Sequence, residues 1–361
     1  MTSVLDAIVG WAARGERAAL ATVVETKLSA PQPAGTKMAV GESGAVVGAV
    51  SGGCVEGAVV EIAELMLAGA PPQLLHYGIA DAEAWDVGLP CGGEIAIWVE
   101  AYDPAGLQAR FTTLAREGRR AVLVTALEGV PQPGAKLLVR DGEEPEGSLG
   151  DARLDALALG LAGDALWSEQ SGLHEVGEGV ALFVDVAAPP SRLIVVGAVD
   201  FAAQLTAIAR VMEWRPFVID PRSRFATSAR FPAAERVIAA WPQEAFDRLE
   251  TIDRATAICV LTHDPKLDDA ALSAALASDA SYIGAMGSRR AQEQRRARLL
   301  EAGIRPAELD RIAAPIGLDL GGRTAPETAL SIMAEIIALR HGRSGGRLVQ
   351  TSGRIHAEVA P

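Results

Sequence analysis

Cysteine is scarce in this sequence, with three in 361 residues. An odd number of thiols without paired spacing argues against a disulfide framework and favours a reducing compartment such as the cytosol. Aromatic residues are also few, at 4%, whereas glycine and alanine are abundant. Small side chains therefore fill the interior, which is typical of close-packed globular layers.

Long apolar runs are absent as well. No stretch approaches the roughly 18 uncharged apolar residues that a membrane-spanning helix needs. Residues 1–15 lack the basic start and unbroken apolar core of a signal peptide. The formal net charge of −13 gives a surface that repels phosphate backbones and anionic lipid head groups. We therefore expect a cytoplasmic protein that binds neither nucleic acid nor membranes.

The chain is long enough for two domains, and its composition predicts where they meet. The run Ala187-Ala188-Pro189-Pro190-Ser191 would interrupt any helix or strand. We therefore expect an N-terminal α/β domain over residues 1–188, a second domain over residues 189–342 and a flexible tail over residues 343–361.

The first domain shows a degenerate internal repeat, formed by residues 1–105 and 106–188. A Pro-Gln-Pro segment followed by a strand that begins with lysine occurs in both, at residues 31–40 and 131–139. Chance similarity between strands rich in alanine and valine is the alternative. The repeated Pro-Gln-Pro segment favours duplication.

The repeat provides an internal comparison for Cys54 and Cys91. Aligned on the repeated segments, Cys54 corresponds to Ala152, and Cys91 corresponds to Val176. A cysteine that only filled a small core position would serve equally well in both copies. The restriction of the two cysteines to one copy favours a functional role for each thiol.

Both cysteines lie beside a glycine pair. Cys54 follows Gly52-Gly53 where a strand meets a helix, and the amides of a helix N-terminus stabilise a thiolate. Cys91 precedes Gly92-Gly93 where a turn leads into a strand. Glycine next to sulfur leaves room for a large ligand, although a small buried cysteine in a tight turn is the alternative for each. The two thiols and His76 lack both the C-x2-C spacing and the fourth ligand of a structural zinc site.

After the linker, strands alternate with helices, which predicts a doubly wound parallel sheet of the Rossmann type. The segment Gly197-Ala198-Val199-Asp200-Phe201-Ala202 stands where a dinucleotide fingerprint would stand, and Asp220 ends the second strand, where a ribose-binding acid belongs. Val199 and Asp200 instead place a branched side chain and a negative charge where pyrophosphate needs bare backbone. NAD(P) binding is therefore doubtful, and a Rossmann fold without this ligand, or with a different one, is favoured over ordinary dinucleotide binding.

Two further loops follow strands of this second domain. Thr262-His263-Asp264 lies at the carboxyl edge, where open α/β sheets bind ligands, and Asp264 would alternatively cap the next helix. Arg289 and Arg290 follow a glycine turn and either bind an anion at a helix start or lie in a solvated basic turn. Cys259 lies inside an apolar strand and is predicted to be a core residue.

Taken in order from near residue 1 to about residue 342, these segments resemble the xanthine dehydrogenase accessory family (XdhC/CoxI-like). The resemblance is much more specific than any one motif, because it involves seven segments in sequence. They are Ala30-Pro31-Gln32-Pro33-Ala34-Gly35, Ser51-Gly52-Gly53-Cys54-Val55-Glu56, Leu89-Pro90-Cys91-Gly92-Gly93, Ile219-Asp220-Pro221-Arg222, Thr262-His263-Asp264, Tyr282-Ile283-Gly284-Ala285-Met286-Gly287-Ser288-Arg289 and Pro315-Ile316-Gly317-Leu318-Asp319.

The resemblance implies a non-catalytic carrier that binds the molybdenum cofactor, of the molybdopterin type, as cargo. Such proteins are implied to protect the cofactor, to assist its sulfuration with a cysteine desulfurase and to deliver it to the large subunit of a molybdenum hydroxylase, of the xanthine or CO dehydrogenase type. The family's cofactor-binding cysteine falls on Cys91 as first choice, also a candidate molybdenum contact, or on Cys54 as second choice. The predicted cofactor-binding residues are Cys91, Cys54, Gly52, Gly53, Gly92, Gly93, Glu56, Gly197, Asp220, His263 and Asp264.

This sequence departs from the resemblance at Val199-Asp200, where relatives usually carry Gly-His. The departure puts nucleotide binding by the second domain in doubt. An NAD(P)-dependent oxidoreductase or a nucleotide-binding regulator that uses this domain is the alternative function. A cysteine-nucleophile hydrolase is a third, although neither cysteine has a recognisable histidine and acid beside it in the sequence. Whether the protein forms a homodimer is left open.

Overall fold

The computed structural model describes residues 2–27, 32–78, 93–177, 179–249 and 251–350. The chain divides into two units, residues 1–189 and residues 190–361. Within the described ranges, no helix is both long enough and apolar enough to cross a membrane. Residues 343–350 are exposed and include one turn of 3-10 helix, Leu348–Gln350, whereas the rest of the predicted tail lies outside the described residues.

The same order of helices and strands occurs twice in the first unit. The first copy consists of α1 (Thr2–Ala13), β1 (Ala18–Lys27), β2 (Lys37–Gly41), β3 (Val46–Gly48), α2 (Glu56–Leu67), β4 (Gln73–Tyr77) and β5 (Glu94–Ala101). The second consists of α3 (Leu107–Arg116), β6 (Ala121–Glu128), β7 (Lys136–Val139), β8 (Glu146–Ser148), α4 (Ala152–Ser168), β9 (Gly172–Gly177) and β10 (Val180–Ala187). Each copy forms an antiparallel sheet, in the orders β3-β2-β1-β5-β4 and β8-β7-β6-β10-β9.

Helices cover both faces of each of these sheets, which explains why every residue of β1 from Ala18 to Val24 is buried. Ala19 and Val23 pack in the same core as the buried side chains of α2, whereas Ala18 and Leu20 pack with α1. This division follows from strand geometry, since successive side chains point to opposite faces. Helices α4 and α3 cover the second sheet in the same way.

The two copies meet through a core of equivalent residues. The pairing register shows the equivalence, because Trp98 lies opposite Thr22 as Phe183 lies opposite Thr125. The core consists of Val24, Ala96 and Trp98 from the first copy and Leu127, Ala181 and Phe183 from the second, with Leu74 and Leu173 packed against it.

Two ion pairs join the copies in opposite directions. Lys37 of the first copy contacts Asp185 of the second, with 2.6 Å between Nζ and Oδ2. Lys136 of the second copy contacts Glu100 of the first, with 2.7 Å between Nζ and Oε2. The lysines begin the equivalent strands β2 and β7, and the acids lie at equivalent positions of β5 and β10. These reciprocal contacts support our proposal that the first unit arose by duplication, with an approximate twofold relation between the copies.

The structure corrects the sequence alignment around Cys54. Gly48 and Gly147 are equivalent, because a Cβ on either would lie 2.4 to 2.5 Å from the carbonyl oxygen of the lysine that begins the neighbouring strand. Glu56 lies eight residues after Gly48, and Asp155, which takes the place of Glu56 in the second copy, lies eight residues after Gly147. Cys54 therefore corresponds to Arg153 and not to Ala152, and the second copy still has no cysteine at this position.

The second unit is a six-stranded parallel sheet with helices on both faces. Its elements are β11 (Arg192–Val196), α5 (Asp200–Val211), β12 (Arg215–Ile219), β13 (Arg236–Ile238), α6 (Pro242–Asp247), β14 (Thr256–Val260), α7 (Pro265–Leu276), β15 (Tyr282–Ala285), α8 (Arg289–Glu301), α9 (Pro306–Leu309), β16 (Ile312–Ala313) and α10 (Ala325–Arg340). The order β13-β12-β11-β14-β15-β16 is that of dinucleotide-binding folds. The buried side chains of α5 and α10 pack on one face, and those of α6, α7 and α8 on the other. The predicted doubly wound parallel sheet is confirmed.

Candidate functional site

The loop between β3 and α2 folds around the carboxylate of Glu56, the first residue of α2. Glu56 Oε1 accepts hydrogen bonds from the backbone N–H groups of Val50, Ser51 and Gly52, at 3.2, 2.8 and 2.9 Å. Glu56 Oε2 accepts from the N–H of Gly53 at 2.8 Å and from the hydroxyl of Ser51 at 2.7 Å. The carboxylate thus converts a glycine-rich segment into a defined loop.

The protonation state of Glu56 follows from these contacts. Burial raises the pKa of its carboxyl, but the hydrogen bonds from Ser51, from its own N–H and from Gly52 together lower it by more, to a net pKa of about 2. Glu56 is therefore ionised at neutral pH. Its acceptor positions are filled by the loop, so the structure gives this predicted cofactor-binding residue a role in shaping the site.

The loop leaves its glycine backbone open. Gly52 and Gly53 have φ angles of 89° and 118°, which side chains of L-residues rarely adopt. A Cβ on either would meet no other atom within 4 Å, so a ligand could approach the backbone here.

Cys54 follows directly and is half-buried beside the core under α2. Its N–H donates to the Ser51 hydroxyl at 3.0 Å. The thiol and the open glycines therefore belong to one rigidly held loop.

The equivalent loop of the second copy is closed by acids. Asp155 takes the place of Glu56, accepting from the N–H of Leu149 at 2.7 Å and from the hydroxyl of Ser148 at 2.8 Å. Asp151 caps α4 by accepting from the N–H groups of Arg153 and Leu154. Helix α2, by contrast, has no side-chain cap. An open glycine pair with a neighbouring thiol is thus a property of the first copy.

The second predicted cysteine motif is only partly described. Cys91 and Gly92 lie outside the described residues, and Gly93 is a buried residue directly before β5. The order of preference between Cys91 and Cys54 therefore stays a prediction. Among the described residues, no three histidine, cysteine, aspartate or glutamate side chains are grouped closely enough to hold a metal ion.

In the second unit, Asp220 lies fully buried at the end of β12, beside the turn at Gly197. Its Oδ2 accepts from the N–H of Ala198 at 2.8 Å and from Arg222 Nη2 at 2.7 Å. Its Oδ1 accepts from the N–H and the Nε of Arg222, both at 2.9 Å. Burial raises the pKa of Asp220, but the hydrogen bonds from Arg222 and Ala198 outweigh it, so that the pKa is lowered. Together, Arg222 and Ala198 donate hydrogen bonds to both oxygens of the Asp220 carboxylate. A ribose hydroxyl that donates to Asp220 would therefore have to displace Arg222.

Of the other predicted residues at this edge, Asp264 lies close enough to Arg222 to act on its charge. Hydrogen bonds to Asp220 raise the pKa of Arg222, and the charge of Asp264 raises it further. Asp264 caps α7, with its Oδ1 accepting from the N–H of Lys266 at 3.0 Å, and His263 is exposed. The structure thus brings Asp220 and Asp264 to one arginine, a partner that the sequence interpretation did not assign. Cys259 is completely buried in the apolar core, as predicted.

Two segments of the chain match models of known protein families. Residues 193–336 match the family model described as the XdhC Rossmann domain, and residues 11–78 match that of the XdhC and CoxI family. The chain belongs to the XdhC and CoxI family. The family resemblance inferred from the sequence is therefore confirmed. The Cys54 loop lies within the matched segment of the first unit, and the Asp220 edge lies within that of the second.

The chain is also similar to individual proteins over most of its own length and of theirs. Over 329 residues it is 26% identical to a probable xanthine dehydrogenase subunit of Bacillus subtilis (strain 168), covering 90% of this chain and 94% of that relative. It is 29% identical to the molybdenum cofactor insertion chaperone PaoD of Escherichia coli (strain K12), covering 90% and 84%. A crystal structure described as a xanthine dehydrogenase from Bacillus halodurans matches with a TM-score of 0.62 at 23% identity, over 96% of this chain and 97% of that chain. This last likeness shows a shared fold.

Proposed function

We propose that this XdhC and CoxI family member carries the molybdenum cofactor as cargo and acts as its chaperone. In this proposal the chain protects the cofactor, presents it for sulfuration by a cysteine desulfurase and delivers it to the large subunit of a molybdenum hydroxylase of the xanthine or CO dehydrogenase type. The name of the PaoD relative supports the choice of cargo. The observation that carries the proposal is the open Gly52-Gly53-Cys54 loop.

The chemistry of this loop fits such a cargo. A cysteine sulfur is a soft donor, which suits a thiophilic metal. Cys54 is half-buried, so its thiol is reachable while the surrounding loop limits solvent access. Ionised Glu56 holds the loop before any cargo arrives, which reduces the ordering cost of binding. In the proposed sulfuration the desulfurase supplies the sulfur, and this chain holds the cargo.

The nucleotide-dependent alternative gains no support from the described part of the second unit. Val199 and Asp200 begin α5 where a dinucleotide's pyrophosphate would approach. Asp220, the residue that would accept from a ribose hydroxyl, is saturated by Arg222 and Ala198. We therefore place the cargo in the first unit.

Pterin retention by cysteine variants tests the proposal. The chain is produced together with the cofactor pathway, purified and oxidised, and the fluorescent pterin released is measured per mole of protein. We expect Cys54→Ser or Cys91→Ser to lower the pterin content by about tenfold, which corresponds to about 1.4 kcal/mol of binding free energy.

Cys259→Ala is the matched control, because it removes a thiol from the core of the second unit. The control should retain wild-type pterin content. Undiminished pterin in the Cys54→Ser, Cys91→Ser double variant would refute the cysteine assignment. A wild-type chain that never contains pterin would refute the carrier role itself.

A further inference from the structure

A pocket of about 440 Å³ opens in the first unit between the two copies. The first copy contributes Val4, residues 32–36 before β2, the start of β2 at Lys37, and Ala49 after β3. The second copy contributes the segment around Ser171 and the end of β10 at Asp185 and Val186, which completes the lining. Its volume lies within the range of roughly 300–1,000 Å³ that is usual for small-molecule sites.

The Lys37–Asp185 ion pair lines this pocket and is almost completely buried, with side chains 2% and 8% exposed. Lys37 Nζ donates to Asp185 Oδ2 at 2.6 Å and to the carbonyl oxygen of Gly35 at 3.3 Å, and its third N–H has no acceptor among the described residues. Asp185 Oδ1 accepts no hydrogen bond from any residue in the described ranges, and it lies 3.8 Å from where a Cβ on Gly35 would stand. Asp185 Oδ1 is not one of the fully buried polar atoms of the described residues, so it is open to the pocket, where a ligand donor can reach it.

Ser171 adds a second polar group to the pocket. Its Oγ accepts from the N–H of Val186 at 3.0 Å, and its hydroxyl proton has no acceptor within the described part of the chain. The pocket thus holds an unused carboxylate oxygen beside an ammonium group and a hydroxyl that both retain a free proton.

The second copy shows that the ion pair does not need this space to join the copies. Lys136 and Glu100 form the equivalent pair, and Lys136 also donates to the carbonyl oxygen of Gly134. Three positions around the Lys37–Asp185 pair carry a smaller residue than the equivalent positions around the Lys136–Glu100 pair. These are Val4 where the other side has Leu107, Asp185 where it has Glu100, and Ser171 where it has Pro72. Small side chains therefore build the room beside the first pair.

The free groups define the ligand. A fused 2-amino-4-oxopyrimidine ring presents adjacent N–H donors and a carbonyl oxygen along one edge. The N–H donors match Asp185 Oδ1, and the carbonyl oxygen matches the unused protons of Lys37 and Ser171. Val4 and Val186 supply apolar wall for a flat ring.

We infer that this pocket binds the aminopyrimidinone edge of a pterin. The inference rests on the proposed function for the choice of pterin, because guanine presents the same edge. It assigns recognition of the organic part of the cargo to Lys37 and Asp185. The Cys54 loop, which begins directly after Ala49 of the pocket lining, is then left for a different part of the cargo.

Free pterin, 2-amino-4-oxopteridine, is a suitable probe because its fluorescence reports binding to the full chain directly. We expect the purified chain, free of cargo, to bind pterin at least about tenfold more tightly than lumazine, which has an oxygen in place of the 2-amino group. We also expect it to bind pterin more tightly than guanosine. Equal binding of pterin and lumazine would overturn recognition of this edge, and tighter binding of guanosine would overturn the assignment to pterin.

Variants locate the site. Asp185→Asn and the pocket-filling Ala49→Leu should each weaken pterin binding by at least about tenfold, whereas Glu100→Gln, at the equivalent pair of the second copy, should change it by less than about twofold. Ala49→Leu keeps the ion pair intact, so it tests the pocket even if Asp185→Asn fails to fold. Unchanged pterin binding by Ala49→Leu, or an equal loss with Glu100→Gln, would overturn the inference.

Failure of this inference can be told apart from failure of the proposed function. A chain that contains cargo after co-production, but in which Ala49→Leu affects neither cargo nor probe, refutes only the pocket. A chain that binds pterin in this pocket, but never acquires cargo during co-production, refutes only the carrier function.

Discussion

At the scale of single residues, an acid and two glycines build the candidate site. The sequence predicts an open turn at Gly52-Gly53 and a helix beyond it, because glycine patterns and helical periodicity are local signals. It does not indicate which donors the Glu56 carboxylate meets, because a helix-starting acid can bind a ligand or its own loop equally well. The structure shows the second case, with four backbone N–H groups on one carboxylate. Arg222 was missed for the same reason, since a side chain two residues beyond Asp220 folds back onto it.

Glu56→Gln should destabilise the first unit by about 1–3 kcal/mol at neutral pH, because it removes a charge that accepts several buried hydrogen bonds. The pKa of Glu56 is lowered from its ordinary value of 4.5 to about 2, so its stabilisation is complete above pH 4.5 and is lost as the pH falls towards 2. The difference in melting temperature between wild type and Glu56→Gln should therefore narrow between pH 7 and pH 3.

Glu64→Gln provides the control for this titration, since Glu64 lies on the same helix and is exposed. It should shift the melting temperature little at either pH. An equal gap between wild type and Glu56→Gln at pH 7 and pH 3 would contradict the role given to the Glu56 charge.

At the scale of elements, two sheets of the same strand order are joined by reciprocal ion pairs. The repeated strands with leading lysines are visible in the sequence, as is the capping box at Thr324 that begins α10. The sequence does not show that each lysine pairs with an acid of the other copy, because a strand pattern does not specify which sheet supplies the partner of the lysine. The alignment error at Cys54 has a related cause, since glycine and alanine runs allow several registers until a contact such as that at Gly48 fixes one.

Lys37→Met should destabilise the first unit by about 3–5 kcal/mol, because it leaves the buried Asp185 charge without a partner. Replacing both residues, as in Lys37→Met with Asp185→Leu, should restore much of the loss. Urea unfolding of the single and double variants measures this coupling. Losses that simply add would show that the two charges do not interact.

The equivalent pair in the second copy gives an internal comparison. Lys136→Met should cost less than Lys37→Met, because the Lys136 and Glu100 side chains are more exposed, at 12% and 11%. The reverse order would show that burial does not control the strength of these pairs.

At the scale of the whole molecule, the chain consists of two units that each have apolar cores of their own. The linker at Pro189-Pro190 and the alternation of strands and helices beyond it are enough to predict the Rossmann unit from the sequence. The antiparallel order of the first unit is harder to predict, because short apolar strands allow many pairings. We propose that the two units are independent folding domains.

Residues 1–189 and 190–361, produced separately, should each unfold in a cooperative transition. The physical reason is that each fragment retains its complete sheets and the helices that cover them. Thermal unfolding followed by circular dichroism measures this for both fragments and for the full chain. A fragment with secondary structure but no cooperative transition would contradict independent folding.

The reciprocal ion pairs of the first unit have an evolutionary consequence. Two separate identical chains joined in this way would carry every substitution twice, once on each side of their symmetry axis. Fusion into one polypeptide removes that constraint, so each half can diverge under its own selection. In this chain one half has a thiol beside bare glycine backbone, while the other has Asp151 and Arg153 at the same place. The halves thus match where they join each other and differ at the Cys54 loop, so that under the proposed function this loop would bind one cofactor per polypeptide.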